Sequence, residues 1–277
     1  MKSCFTGLLL LICFSVSAQS LKLMTYNIRL DLASDGENSW PNRKEYWASQ
    51  MQFYEPDIFG VQEAMPHQVA DIAALLPKYS YVGVGRDENG KGESSNIFFK
   101  KDRFKVIQES TFWLSETPDK TSKGWDAAYN RVCTYALLKD NRTKQTFWVF
   151  NTHLDHIGEL ARTNSIKLIL SKIKELNTKN HPVFLMGDFN SEPMEERIIS
   201  LKKEMDDSRS VSEEKPFGPS GTFNAFKHNE TVNELIDYIF LSKSNPFKVR
   251  KYAVLSDSKD LKYPSDHLPV FIELALK

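Results

Sequence analysis

Hydrophobic positions along the chain fall into short runs of the kind that form buried or half-buried β-strands. The runs are Leu21–Tyr26, Ile58–Val61, Tyr79–Val84, Asn96–Phe99, Phe104–Trp113, Val132–Leu138, Thr146–Asn151, Val183–Met186, Ile236–Leu241, Phe247–Leu255 and Val270–Leu274. β-Branched and aromatic residues dominate them, and polar clusters separate them. Helical periodicity is rarer. Ile166, Ile169, Leu170, Ile173 and Leu176 share one face of a 3.6-residue repeat, and further helices are expected at Arg43–Tyr54 and Gln68–Leu76. Many strands with few intervening helices predict an α/β chain whose sheets pack face to face with helices outside, because each apolar sheet face must be covered. No repeat, low-complexity tract or Pro/Gly/Ser linker divides the chain, so one domain over residues 19–277 is expected.

The first 18 residues follow another pattern. Lys2, the apolar run Leu8–Phe14 and the small residues Val16-Ser-Ala before Gln19 read as a secretory signal peptide. Cleavage is expected after Ala18, giving an exported product, periplasmic or secreted. The run is much shorter than the ~20 apolar residues of a membrane-spanning helix, and no later stretch approaches that length, so stable membrane insertion is not expected. Cleavage would remove Cys4 and Cys13 and leave Cys133 without a disulfide partner. Between Val132 and Thr134 in an alternating run, Cys133 reads as a strand residue and not as a nucleophile.

Composition narrows the class. The 277 residues are 41% hydrophobic and 26% charged, which fits an enzyme-sized globular chain and excludes collagen-like, coiled-coil and disordered ones. Lys plus Arg and Asp plus Glu both number 36, and cleavage would take Lys2 and no acid, leaving one net negative charge. A uniformly basic coat for long nucleic acid is thereby excluded; a local basic groove is not.

The residues that terminate the apolar runs carry the candidate chemistry. Leu21–Tyr26 ends in Asn27, and Asp57-Ile-Phe-Gly-Val-Gln ends in Glu63. Thr146–Asn151 leads to His153 and Asp155, and Val183–Met186 opens into Gly187-Asp-Phe-Asn. Asp237 lies within Glu234-Leu-Ile-Asp-Tyr-Ile-Phe, and Ser265-Asp-His-Leu-Pro-Val introduces the final strand with Asp266 and His267. One such residue reads as a turn or cap; six sites together read as polar groups converging on a pocket. Carboxylates, amides and imidazoles without a candidate serine or cysteine nucleophile suit a hard divalent cation and an activated water. Mg²⁺ takes few protein carboxylates, so Glu63 with Asp266 would suffice and a phosphate would complete the shell.

In these motifs, Thr25-Tyr-Asn-Ile-Arg, Gly60-Val-Gln-Glu, Asn151-Thr-His-Leu-Asp, Gly187-Asp-Phe-Asn, Ile236-Asp-Tyr-Ile-Phe and Ser265-Asp-His-Leu-Pro-Val, the chain resembles the endonuclease/exonuclease/phosphatase superfamily. The resemblance runs through nearly the whole chain after residue 18 and implies a deoxyribonuclease-I-like, four-layer α/β/β/α sandwich. It implies that Glu63 is the principal ligand of Mg²⁺, with Mn²⁺ as a substitute, that Asn27 lies beside it and that Asp266 is in the metal shell. Asp188 would orient or deprotonate the attacking water, Asn190 would hold the phosphate, and His267, fixed by Asp237, would contact the phosphoryl oxygens or the nucleophile. His153 would contact a phosphate oxygen or assist the leaving group. Which of Asp188 and His267 takes the proton stays open.

The segments Gly83–Glu93, Phe112–Asp119 and Gly124–Ala128 resemble a bacterial subgroup related to the deadenylases. That likeness puts Arg86 or Glu93 on the pocket wall, with Trp125 stacking on a base or sugar; Asp155 and His156 are further candidates at the substrate, His156 as a loop residue hydrogen-bonding near the site. The likeness puts a nucleotide-like or single-stranded nucleic acid phosphodiester first, acted on by a monomer. A sugar- or inositol-phosphate monoester comes second and a phospholipid headgroup third; a catalytically silent phosphate-binding module of the same fold is a separate alternative. His153-Leu-Asp-His also resembles part of a metallo-β-lactamase-type zinc site, but Asn151 stands where its first histidine belongs. Mass spectrometry of the exported protein should find Gln19 at its N-terminus; an exported product that still begins at Met1 would contradict the cleavage.

Overall fold

The computed structural model describes residues 20–276, so the expected signal peptide and its two cysteines lie outside the described residues. The first half contains β1 (Ser20–Asn27), α1 (Trp40–Tyr54), β2 (Ile58–Gln62), α2 (Pro66–Leu75), β3 (Tyr79–Val82), β4 (Gly85–Asp87), β5 (Lys91–Ser94), β6 (Ile97–Lys100) and β7 (Phe104–Trp113). The second contains β8 (Val132–Asp140), β9 (Thr146–His153), α3 (Glu159–Leu176), β10 (Val183–Asp188), α4 (Glu196–Glu204), β11 (Met205–Asp207), β12 (Asp237–Ser242), β13 (Phe247–Val254) and β14 (Val270–Leu276). One sheet has the order β13-β14-β1-β2-β6-β3, the other β11-β12-β10-β9-β8-β7, and β4 with β5 forms a separate hairpin.

Period-2 alternation decides what each sheet face meets. Leu21 and Leu23 of β1 enter the layer between the sheets, together with Phe147 and Val149 of β9, Phe184 and Met186 of β10, and Ile239 and Leu241 of β12. The intervening residues of the first sheet, Met24 and Tyr26, pack on Trp40, Trp47 and Met51 of α1 and on Val69 and Ile72 of α2. Trp148, Phe150, Leu185 and Phe240 of the second sheet pack on Ile166 and Ile169 of α3 and on Ile198 and Leu201 of α4. The result is the expected α/β/β/α sandwich. Each buried aliphatic or aromatic side chain in these layers contributes roughly 1.5–3 kcal/mol.

Carried to the strand ends, the same parity turns Asn27, Gln62, Asn151, His153, Asp188 and Asp237 toward the inter-sheet layer. Register gathers them at one edge of it. Asn27 is opposite Gln62 on the parallel pair β1–β2, and Asp188 is opposite both His153 and Asp237 on its two neighbours. Beneath this edge, Gln62 Nε2 donates to Asn151 Oδ1 at 2.7 Å and to Thr25 Oγ1 at 3.0 Å. Asn151 Nδ2 donates to the Val61 and Asn96 carbonyls, both at 2.9 Å. The amide crosses so close to β2 that a Cβ on Gly60 would lie 2.6 Å from it, which explains a glycine in an otherwise bulky strand.

Some boundaries differ from the periodicity. The run Tyr79–Val84 stops at Val82, where Gly83 turns the chain at φ 114° toward the β4–β5 hairpin. α4 and β11 have no counterpart in the apolar pattern, since α4 buries only Ile198 and Leu201. Ile236 precedes β12 instead of opening it.

A buried ion cluster also ties the sheets together. Arg103 Nη1 lies 2.7 Å from Asp57 Oδ2, ahead of β2, and its Nη2 lies 2.8 Å from Asp140 Oδ2, at the end of β8. Asp57 keeps Lys100 Nζ at 3.0 Å, but Asp140 has no other cation among the described residues, so removing Arg103 leaves a buried carboxylate without its charge partner. Arg103→Ala should therefore lower the free energy of urea unfolding by about 3–5 kcal/mol; a loss below about 1 kcal/mol, the range of exposed pairs, would contradict a linking role.

Candidate active site

At the polar edge, side chains from the two sheets bond to each other directly. Asn27 Nδ2 donates to Asp188 Oδ2 at 2.9 Å and to Glu63 Oε1 at 3.0 Å. Glu63 follows β2 with φ 63° and Asn190 follows β10 with φ 44°, backbone states that cost roughly 1–3 kcal/mol and persist where surrounding structure holds them. Here the holding contacts are visible. The Leu30 N–H donates to Glu63 Oε2 at 3.0 Å, the Asn190 N–H donates to Asp188 Oδ1 at 2.8 Å, and Asn190 Nδ2 donates to the Leu154 carbonyl at 3.0 Å. Gly187 lets β10 approach β9, because a Cβ there would lie 2.0 Å from the Thr152 carbonyl oxygen.

Asp188, Asp237 and His267 bring one potential ligand atom each within 4.8 Å of one another. His267 Nδ1 is 2.9 Å from Asp237 Oδ2, and its Nε2 faces Asp188 Oδ2 at 3.8 Å. Burial opposes a charged imidazole at His267, but Asp237, by charge and hydrogen bond, and then Asp188 outweigh it and raise its pKa well above the ordinary value. Asp237 Oδ1 is buried with no hydrogen-bond partner, so His267 is the donor that answers this carboxylate. With Nδ1 committed to that bond, the trio reads as a proton-handling group more than as a metal cage. Burial, and next the charge of Asp237, push the Asp188 carboxyl up to about 7.

The second imidazole is in the opposite state. Arg131 Nη1 is 3.0 Å from His153 Nδ1 and its Nη2 is 3.1 Å from His156 Nδ1. A guanidinium only donates, so both rings accept at Nδ1 and carry their proton on Nε2. Burial first, and then the Arg131 charge, lower the pKa of both histidines, His153 most strongly. Arg131 Nε in turn faces Asp155 Oδ2 at 3.4 Å. The guanidinium seated on both imidazoles, with Asn151 committed to the sheet interface, removes the donor set of the zinc alternative.

These groups surround a cavity of about 550 Å³. Glu63, Arg86, Glu93, His153, His156, Asp188, Asn190, Asp266 and His267 line it, as the motifs lead one to expect of a shared pocket. Asn27 lies buried beneath Glu63 and Asp188, and Asp237 behind His267. Two expectations need correction. Trp125 does not line the cavity, and its backbone N–H donates to Glu116 Oε2; Tyr129 is the tyrosine on the wall. Asp155 does not line it either; it is buried and accepts the Ile157, Gly158 and Ala128 N–H groups, a structural role for the loop that carries His156. The wall residues missed from the sequence include Arg29, Tyr129, Arg131, Phe223 and Glu234.

The donors at the Glu63 end fit a hard divalent cation. Glu63, Asp188 and Asp266 line this part of the cavity with carboxylates; Asn27, expected as a ligand, instead turns its Nδ2 to Glu63 and Asp188 and its Oδ1 to the Arg29 N–H, so it positions the carboxylates. Burial raises the proton affinity of Asp266, and the Glu63 charge adds to it. Arg29, whose Nη1 is 3.7 Å from Asp266 Oδ2, is the cation paired with Asp266. An oxygen set with surplus negative charge is what Mg²⁺ or Mn²⁺ binds.

Known proteins share this arrangement of the chain. It is 40% identical to a mannosyl-6-phosphatase of Bacteroides thetaiotaomicron VPI-5482, with a TM-score of 0.87 and coverage of 92% of this chain and 100% of that one. Mouse nocturnin is 22% identical over 94% of this chain and 67% of its own length. An uncharacterised protein of Acanthamoeba polyphaga mimivirus is 29% identical over 55% of this chain, and the match spans 60% of the mimiviral protein. Residues 24–267 match the Endonuclease/Exonuclease/phosphatase family, and the chain belongs to that family of metal-dependent phosphoester hydrolases.

Proposed function

We propose that this chain hydrolyses a sugar phosphomonoester with Mg²⁺, or Mn²⁺ in its place, held by Glu63 and Asp266 beside Asn27. The observation that carries the reading is the composition of the cavity wall. Phosphate-binding donors converge on Asp188, yet the wall also holds Glu93 and Glu234, and Arg86 is neutralised by Glu93 at 2.7 Å. A strand of nucleic acid would have to bring further phosphates past these carboxylates, whereas a neutral polyol meets no such repulsion. A cavity of about 550 Å³ also suits a small molecule. Similarity to the mannosyl-6-phosphatase along that protein's whole length supports the same choice, and moves the nucleotide-like diester favoured by the sequence motifs to second place.

When bound, the cation supplies Lewis-acid neutralisation of the phosphoryl oxygens. The chain's own groups do the rest. His267, as an imidazolium, and His153, through a neutral Nε2–H, donate to the equatorial oxygens. Asp188, poised near neutrality, takes the proton of the attacking water, and Asn27 and the Asn190 N–H hold its two oxygens in place. Asp237 keeps His267 charged, which disfavours that residue as the base. As the ester P–O bond breaks, the sugar oxygen takes a proton from solvent water and leaves as an alcohol, Asp188 returns its proton to solvent, and inorganic phosphate remains. We also propose that the chain is exported, as its first 18 residues suggest.

Purified residues 19–277 with Mg²⁺ should release phosphate from mannose 6-phosphate, lose that activity in EDTA and regain it on adding metal. Turnover of single-stranded RNA or DNA with inactivity on hexose phosphates would overturn the substrate. Asp188→Ala and His267→Ala should each lower kcat by roughly 10²–10⁴-fold or more; near-normal turnover by either would overturn its role.

A further inference from the structure

Arg43, in the first turn of α1, is a buried cation whose side chain bonds to backbone carbonyls and, among the described residues, to no carboxylate. Nε donates to the Asn38 carbonyl at 2.8 Å and Nη2 to the Arg29 carbonyl at 2.8 Å. Nη1 donates to the carbonyls of Ile28 and Pro264, the latter at 3.0 Å. The guanidinium carbon lies 5.1 Å from the centre of the Trp40 ring and 5.8 Å from that of Phe226. Burial lowers the pKa of Arg43 to about 10, so it stays charged near neutrality, and the strongest answering charge is that of Asp266.

The carbonyls that receive these bonds belong to segments at the metal end of the cavity. Ile28 and Arg29 continue β1 past Asn27, and the next residue, Leu30, donates its N–H to Glu63 Oε2 at 3.0 Å. Pro264 stands two residues before Asp266 on the turn into β14. In the sheet, β1 separates β14 from β2, so the spacing of Asp266 from Glu63 depends on how the β1 loop sits against the β14 turn. Arg29 has φ 58°, a left-handed state that persists where its surroundings hold it. Arg43 and Gln68 hold it together, since Gln68 Nε2 also donates to the Arg29 carbonyl, at 2.9 Å. Phe226, on the guanidinium, follows Asn224 and Ala225, whose N–H groups donate to the Asp266 carbonyl at 2.8 and 3.1 Å.

Resting on the reading of Glu63 and Asp266 as metal ligands, we propose that Arg43 is a positioning residue that sets the spacing of these two carboxylates, by tying the backbone behind both of them to one rigid fork. A guanidinium has five donors fixed in a plane and reaches the β1 loop and the β14 turn at once; the compact ammonium of a lysine cannot. An apolar side chain would leave the buried carbonyls unpaired. Either change frees the β1 loop to move against the β14 turn, and ligands that are no longer held in place bind a cation less tightly.

The test titrates Mn²⁺ into the metal-stripped protein and reads the free ion by electron paramagnetic resonance, with circular dichroism reporting whether each variant is folded. Arg43→Lys and Arg43→Met should each raise Kd for Mn²⁺ by roughly tenfold or more, the effect of losing a residue that orients metal ligands. Arg103→Ala removes another buried arginine, at the opposite edge of the sandwich between Asp57 and Asp140. It should lower stability and leave Kd at the wild-type value; a rise equal to that in the Arg43 variants would show a general loss of stability and overturn the positioning role. Wild-type binding that Glu63→Gln removes, with Kd unchanged in a folded Arg43 variant, would overturn that role and leave the metal site intact. Failure of both Arg43 variants to fold would also overturn it, since Arg43 would then support the whole fold and not the spacing of two carboxylates. Absence of Mn²⁺ binding by the wild-type protein would overturn the metal site and the positioning role together.

Discussion

Two β-sheets packed face to face share a layer that must be dry in its middle, and here that layer turns polar at the ends of five strands. Leu21 and Leu23 lead to Asn27, Phe184 and Met186 to Asp188, and Ile239 stands two residues from Asp237. Because the alternation is strict, the side chains that would otherwise continue the core become the floor of the cavity. The hydrogen bond from Asn27 to Asp188 at 2.9 Å joins the two sheets at this edge. Anything that slid one sheet against the other would separate the proposed base from the metal-side carboxylate, so the packing of the core and the geometry of the site are one constraint.

Charge placement follows from the same edge. His267 is backed by Asp237 and is held protonated; His153 is backed by Arg131 and is held neutral. Two histidines a few ångströms from Asp188, at 3.8 and 3.5 Å, therefore do different work. One supplies a positive charge and the other a single fixed N–H. That division is what favours Asp188 over His267 as the proposed base, beside an imidazolium.

The sandwich and most of the cavity wall were legible in the sequence because each strand that ends at the site announces itself by a polar residue after an apolar run. Asn27, Glu63, His153 and Asp188 stand in that position. Arg131 and Tyr129 do not. β8 runs antiparallel to β9, with Cys133 opposite Thr152, so it is the residues before β8 that reach the edge where β9 ends. The same reasoning applied to N-terminal flanks would have found them. The subgroup resemblance points to Trp125, but only strand pairing shows that Tyr129, four residues on, reaches the wall. α4 escaped because two buried positions, Ile198 and Leu201, do not make a visible helical face.

The central claim is that opposite partners give the two histidines opposite charge states. Nitrogen-15 NMR of the imidazole rings in the folded protein at pH 7.5 reads this directly. The account predicts His267 protonated on both ring nitrogens, and His153 and His156 protonated on Nε2 alone. A neutral His267, or a His153 carrying two protons, would contradict it.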